Sequence, residues 1–173
     1  MNKKHILYIL LSICIALGAF LLIKYKLDFQ KRIIRNEILT TKRAVENKNI
    51  NGTVRYLSTD FTYGGFDKET IKQELISFFE EFEKIKIKIS KIKIKIEKDK
   101  AMVNFKLVVL VTYQGMTGPV IGKLTNPARV ECIFIKNEEW LLEKITIYEA
   151  EQIVAVGFSL RKIIRTFYLH YET

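Results

Sequence analysis

The stretch that decides the fold is residues 84–96, KIKIKISKIKIKI, in which isoleucine alternates with lysine. Alternation with a period of two is typical of a β-strand that buries one face and exposes the other. The alternation shifts by one residue at Ser90-Lys91, which predicts a β-bulge that keeps all the isoleucines on one face. The sequence therefore predicts one long strand with an isoleucine face and a lysine face.

The lysines of this region form the strongest unusual feature of the chain, whose net charge is +10. Alternate lysines on a strand lie about 6.6 Å apart. An electropositive sheet face suits anionic lipid headgroups, an acidic protein partner or nucleic acid, and nucleic acid is the weakest of the three because no aromatic residues interleave to stack bases. The simpler interpretation is biased coding, or lysines that protect an exposed strand from aggregation. The row consists of Lys84, Lys86, Lys88, Lys91, Lys93, Lys95, Lys98 and Lys100.

Downstream, three more strands are predicted. Residues 97–100 form a turn, 101–114 a long return strand, and 115–119 the next connection. Residues 120–124 and 128–135 form a third strand, interrupted near Asn126-Pro127, and 140–149 form the fourth. The expected sheet is a curved antiparallel meander of four strands.

Upstream, three helices are predicted. The first covers Leu27 to Asn47, and a short second one covers Thr53 to Ser58, before an extended piece at residues 61–63. Asp67 is a suitable N-cap for the third, because its carboxylate accepts from free backbone N–H groups. Helices succeeded by an antiparallel sheet make an α+β domain. The third helix carries a broad apolar face, namely Ile71, Leu75, Ile76, Phe78, Phe79 and Phe82.

The N-terminal region contains 18 consecutive residues without a charge, Ile6 to Ile23. As a helix they span about 27 Å, enough for the core of a bilayer. A cleaved signal peptide fits less well, because the candidate cleavage site Ala16-Leu17-Gly18 is followed by five more apolar residues. The sequence predicts a single-pass signal-anchor in the cell (inner) membrane. No glycine or proline separates this span from the next helix, so one continuous helix is expected.

Two signals in the sequence disagree about the side of the membrane on which the domain lies. Basic residues after the span favour a cytoplasmic domain by the positive-inside rule. The short head with Lys3 and Lys4 is typical of anchors that export the domain attached to them, and we expect an extracytoplasmic domain. The predicted organisation is a head and anchor at 1–26, an α+β domain at 27–150, and a C-terminal extension of helical pattern at 151–173.

Cofactor and metal chemistry have little support in the sequence. The two cysteines are Cys14, inside the predicted span, and Cys132, in an apolar strand, so no disulfide is expected. No pair of cysteines or histidines has a spacing suited to zinc, and no glycine-rich nucleotide fingerprint exists. We therefore predict no metal and no cofactor.

The order of elements resembles the nuclear transport factor 2-like (cystatin-like) superfamily. The residues that carry the resemblance are 51–61, NGTVRYLSTDF, the aromatic-rich third helix, and 140–145, WLLEKI, on the last strand. The resemblance implies a cone in which a bent sheet wraps around three helices. It also extends to the periplasmic domains of single-span subunits of type IV secretion machines, although the head of five residues is shorter than such subunits have.

Members of this superfamily include isomerases, dehydratases and epoxide hydrolases that work inside the cone, with a carboxylate or histidine base and an oxyanion donor. Both histidines, His5 and His170, lie outside the predicted cone. The ligand-binding residues suggested are instead two carboxylates and two tyrosines. Each also has a simpler interpretation, as a loop cap, a solvated strand residue or the rim of the core. These four are Asp60, Glu131, Tyr63 and Tyr113.

Two functional hypotheses are consistent with these features. The first is a non-catalytic membrane-anchored binding or assembly module that binds a protein partner or a small apolar ligand, or forms a homodimer through its sheet. The alternative is a membrane-anchored enzyme of the isomerase, dehydratase or hydrolase type, acting on a small hydrophobic molecule in the cone. The missing histidine favours the first.

Overall fold

The computed structural model describes residues 3–63 and 65–148, with side chains from residue 17 onward except that of Thr62. The predicted extension at 151–173 lies outside the described residues. Three helices and six strands are described, in chain order: α1 (Lys3–Glu46), α2 (Ile50–Val54), β1 (Leu57–Thr62), α3 (Lys68–Glu81), β2 (Lys84–Glu97), β3 (Lys100–Tyr113), β4 (Met116–Ile121), β5 (Ala128–Lys136) and β6 (Trp140–Tyr148).

The chain divides into two compact units, residues 1–36 and 37–173. Helix α1 is unbroken over 44 residues, so the predicted continuity between the apolar stretch and the helix after it is confirmed. Within the part whose side chains are described, no helix has the length and apolarity needed to cross a bilayer. Most of the predicted span, 6–23, precedes residue 17 and so lies outside that part.

The sheet is mixed and has six strands. Five of them lie in the order β1-β6-β5-β3-β2, and β4 pairs with the C-terminal part of β3, whose N-terminal part pairs with β5. The prediction of four antiparallel strands was therefore wrong in number. One difference is that the predicted third strand is two, β4 and β5, separated by residues 122–127. At Gly122 the backbone has a φ of 63°, and a Cβ atom there would come within 2.6 Å of the Leu107 carbonyl oxygen. Only glycine fits this close crossing, and the strand ends there.

The other difference is at the start of the sheet. The predicted second helix at 53–58 was misplaced, because α2 is Ile50–Val54 and residues 57–62 form strand β1. The Asn49 side chain accepts from the Gly52 N–H at 2.9 Å and caps the helix upstream of the predicted start. Strand β1 runs parallel to β6, with Leu57 opposite Leu142. This long-range pairing, rather than local propensity, makes the segment a strand.

The predicted bulge in β2 is confirmed. The register between β2 and β3 shifts between Ser90 and Lys93, and Lys91 adopts a φ of 55°. Ile85 and Ile87 oppose Val111 and Val109 before the bulge. After it, Ile94 and Ile96 oppose residues of the same β3 face, so the bulge keeps every isoleucine on one side of the sheet.

That side, which we term the core face, packs against the helices. Helix α3 begins after Asp67, whose carboxylate accepts from the Thr70 N–H at 2.8 Å, as predicted. Cys132, on the same face in β5, is 3% exposed, and burial raises the pKa of its thiol to about 12. It is therefore a core residue and not a reactive thiolate. One buried cluster combines Phe79 of α3 and Phe82, the C-cap of that helix, with sheet residues, namely Ile85, Val109, Val111 and Val120.

Candidate functional site

The opposite side of the sheet, the outer face, carries the lysines. Lys86 is opposite Leu110, Lys88 opposite Val108, and Lys95 opposite Met102. Because directly opposed residues of antiparallel strands share a face, the lysines of β2 and β3 form one surface. We term it the lysine face, and it comprises Lys84, Lys86, Lys88, Lys93 and Lys95 of β2 with Lys100 and Lys106 of β3. The predicted member Lys91 occupies the bulge itself.

Few carboxylates neutralise this surface. Lys95 Nζ lies 2.6 Å from Glu97 Oε1, and Lys100 Nζ lies 3.8 Å from Glu143 Oε2. The Lys95–Glu97 pair lowers the pKa of Glu97. Among the described residues, no carboxylate is within ion-pair distance of the remaining five lysines. The Glu46 carboxylate at the end of helix α1 attracts the charge of Lys86, so the least compensated members of the lysine face are Lys84, Lys88, Lys93 and Lys106.

An apolar strip borders the lysine face. Met102 of β3 is 46% exposed and lies between Lys95 on one side and Ile133 of β5 on the other. Ile135 and Leu141 are directly opposed on the next pair of strands and are half-buried. The outer face is therefore cationic at the β2 edge of the sheet and apolar toward its middle.

The edge of β2 is partly covered by the end of helix α1. Glu46 Oε1 accepts from the Ile87 N–H at 2.8 Å, and Lys42 Nζ holds the same carboxylate at 2.6 Å. Lys48 Nζ donates to the Phe82 carbonyl oxygen beside the start of the strand. The first half of the edge therefore has a partner, and the lysines protect the second half from pairing with other strands.

The four residues predicted to bind a ligand lie apart. Asp60 is exposed on β1, and Tyr63 forms an isolated bridge with Phe66. The Tyr113 ring packs at 6.3 Å from that of Phe82 on the core face. Glu131 shares a face with its opposed residue Asn104 on the outer side. The structure does not bring these four side chains together at one site.

A carboxylate that the sequence did not single out is the buried one. Glu37 of α1 is 8% exposed, and its Oε2 atom has no hydrogen-bond partner among the described residues. Burial, reinforced by the charge of Glu139 and opposed by that of Arg55, raises the pKa of Glu37 to about 7. The available signal was its spacing, since Glu37 stands three residues after the buried Ile34 and directly before Ile38.

Two kinds of chemistry are thus available. A carboxyl group with a pKa near 7 both gives and takes a proton at neutral pH, as acid–base catalysis requires. No group of three or more metal-ligating side chains occurs among the described residues. The lysine face offers electrostatic attraction over a broad surface.

Comparison with known proteins identifies the fold. No protein family profile matches the chain, and no curated protein is similar to it in sequence. A nuclear transport factor 2-like protein with a cystatin-like fold from Novosphingobium aromaticivorans superposes with a TM-score of 0.61 at 14% identity, over 74% of this chain and 86% of that one. The fold is nuclear transport factor 2-like. This agrees with the α+β cone implied by the sequence resemblance.

Two further structures are similar. A protein named as a candidate scytalone dehydratase, also from Novosphingobium aromaticivorans, has a TM-score of 0.60 at 12% identity, over 75% of this chain and 92% of that one. Bd1075 from Bdellovibrio bacteriovorus has a TM-score of 0.54 at 14% identity, over 69% of this chain. The chain covers only 40% of the length of Bd1075. At these identities the likeness establishes fold and nothing about activity.

Proposed function

We propose that the protein is a membrane-anchored, non-catalytic binding module that docks an anionic partner on its lysine face. The observation that carries this proposal is the set of five exposed or half-exposed lysines without a carboxylate at ion-pair distance in the described chain. Like charges about 6.6 Å apart on a strand repel one another. A negatively charged partner relieves that repulsion and gains the attraction of the whole array.

The anchor is the apolar stretch at residues 6–23 of helix α1. Its described side chains support this, because Leu17, Phe20, Leu21, Leu22 and Ile23 are between 57% and 72% exposed. Five large apolar side chains exposed to water in one segment are costly, and a bilayer removes that cost. We place the protein in the cell (inner) membrane with its domain on the extracytoplasmic side. Protease access in spheroplasts, with and without membrane lysis, tests this side.

The docking proposal is tested by lysine acylation of the full chain, first in its native membrane and then in detergent. A covered lysine face predicts at least five-fold slower acylation of Lys86, Lys88 and Lys93 in the membrane. Lys72 on helix α3 serves as the internal reference and reacts equally in both. Equal rates at the face lysines in both states would show that nothing covers them, and the proposal would fail.

A second copy is a weaker partner for the lysine face of this module. A symmetric homodimer through the lysine face would place lysines against lysines, because an isologous contact uses the same patch twice. A homodimer through the sheet therefore has to use the apolar strip around Met102 and Ile133 instead. Crosslinking of the full chain in its membrane distinguishes this arrangement from a single copy.

The alternative function, an enzyme of the isomerase, dehydratase or hydrolase type, is favoured by Glu37. Its buried, proton-exchanging carboxyl is a better acid–base group than Asp60, which is exposed, or Glu131, on the outer face. The similar structure named as a candidate scytalone dehydratase points the same way. In this alternative, a small hydrophobic substrate reaches Glu37 from within the domain.

An apolar carbodiimide tests that access without knowledge of the substrate. If a small hydrophobic molecule reaches Glu37, dicyclohexylcarbodiimide should label it at pH 6, where its carboxyl is protonated, and much less at pH 9. Mass spectrometry locates the adduct, and Glu37→Gln supplies the control. Absence of labelling at pH 6 would mean that no apolar substrate enters, and the enzyme hypothesis would be rejected.

A further inference from the structure

The lysine face concentrates many positive charges in a small area. Its members on β2 and β3 are lysines, whose ammonium groups act as mobile point charges, whereas the guanidinium of Arg129, opposite Lys106 on β5, lies at its margin over the Tyr148 ring. The lysines repeat along β2 about every 6.6 Å and continue onto the neighbouring strand β3 about 5 Å away. A two-dimensional grid of this kind matches an extended charged surface better than a single acidic side chain.

We propose that the lysine face binds the surface of a bilayer that contains anionic phospholipids. This inference rests on the proposed function and identifies the partner of that same surface. The ammonium groups approach the headgroup phosphates, and the Met102 side chain, 46% exposed beside Lys95, enters the interface next to them. A basic surface with an adjoining exposed apolar residue is the combination that interfacial membrane binding uses.

The expected strength of the attraction between these lysines and anionic lipid suits a domain that is already tethered to the membrane. A lysine near an anionic membrane strengthens binding about five-fold, from roughly 1 kcal/mol of attraction per residue. On this scale the five lysines together bind a free domain only weakly. A tether to the same membrane makes the second contact intramolecular, so the lysines bind without the loss of translational freedom that a free domain incurs.

The other occupants fit less well. Nucleic acid is disfavoured because the outer-face residues of β2 and β3, from Lys84 to Thr112, include no aromatic side chain on which a base could stack. A second copy is disfavoured by the like charges. An acidic protein remains, and reconstitution in protein-free vesicles separates it from the bilayer.

The experiment uses the full chain reconstituted in vesicles of phosphatidylcholine alone or with 30% phosphatidylglycerol. A membrane-permeant acylating reagent measures the reactivity of Lys88, with Lys72 as reference. We expect at least ten-fold protection of Lys88 in the anionic vesicles, none in the neutral ones, and loss of the protection in 1 M NaCl. Equal reactivity of Lys88 in the two vesicles overturns the proposal.

Two charge-matched variants sharpen this result, with the exposed Lys123 as reference in both. Lys86→Glu/Lys93→Glu and Arg43→Glu/Lys72→Glu each lower the net charge by four, but only the first pair lies on the lysine face. We expect the face variant to lose the protection of Lys88 and the helix variant to keep it. Lys86→Gln/Lys93→Gln repeats the test with a milder change if the first variant fails to fold. Loss in both pairs would mean that total charge, and not this face, binds the lipid.

Met102→Trp tests the contact from the apolar side. In anionic vesicles that contain brominated lipid, the new indole should be quenched, whereas the native Trp140, 2% exposed, should not. Protection in native membranes without protection or quenching in anionic vesicles would overturn the lipid proposal. In that case the docking function stands, with an acidic protein as the partner.

Discussion

The core face of strand β2 carries six isoleucines and its outer face five lysines, and the two sets of residues are under different constraints. On the core face, Ile85 is 3% exposed and packs with Phe82 and Val111. On the outer face, the neighbouring Lys86 is exposed, with no carboxylate at ion-pair distance in the described chain. Burial fixes the identity of the isoleucines, whereas folding leaves the lysines free to vary. Because folding does not require lysine at these positions, the run of like charges there can serve a function.

Deletion of Lys91 should have the largest effect on the difference between the two faces of β2. Removal of the bulge residue shifts the register by one and turns Lys93 and Lys95 toward the core face. Two buried lysines without partners cost several kcal/mol each, which is comparable with the roughly 5–15 kcal/mol by which a domain is stable. We expect the deletion variant to be unfolded by near-ultraviolet circular dichroism. A native spectrum would show that the bulge does not set the register.

Truncation on each face should reveal the next largest difference. Ile85→Ala should lower the free energy of unfolding by about 3 kcal/mol, because it removes buried methyl groups from the cluster around Phe79 and Phe82. Lys86→Ala, one residue away, should change it by less than about 0.5 kcal/mol. Urea unfolding of both variants in the same detergent measures the contrast. Similar losses at the two positions would mean that the outer face is also packed.

Glu37 provides a pH-dependent comparison. Its folded-state pKa of about 7 is above the ordinary 4.5, so the native state holds the proton more tightly than the unfolded state. Stability should therefore fall as the pH rises from about 4.5 to 7, by roughly 3 kcal/mol at most, and then level off. Glu37→Gln should remove this dependence. An unchanged slope in the variant would assign the effect to other groups.

The smallest effect concerns the bulge conformation itself. Lys91 has a φ of 55°, which glycine adopts without the steric cost that a Cβ atom brings. Lys91→Gly should therefore be neutral or stabilising by up to about 1 kcal/mol, while the same change at Lys93, in regular strand, should destabilise by a similar amount. Thermal unfolding of the two variants gives the sign of each.

The elements predicted from the sequence are those that local pattern determines. The alternation at 84–96 predicted β2 and its bulge, and Asp67 predicted the start of α3, because both signals lie within a few residues of their effect. Strand β1 was missed because its partner Leu142 is far along the chain from Leu57. The burial of Glu37 was missed because a charge on an amphipathic helix is normally solvated, and only the tertiary packing shows otherwise.

The carboxylate of Glu46 on the Ile87 N–H has a consequence for self-assembly. Any foreign strand that adds to the β2 edge finds that donor already occupied and has only the segment from about Ser90 to Glu97 for pairing. That segment is short, and a strand that pairs with it would lie beside its lysines. Pairing at this edge is therefore restricted to the lysine-rich second half of β2, which disfavours growth of an intermolecular sheet from it.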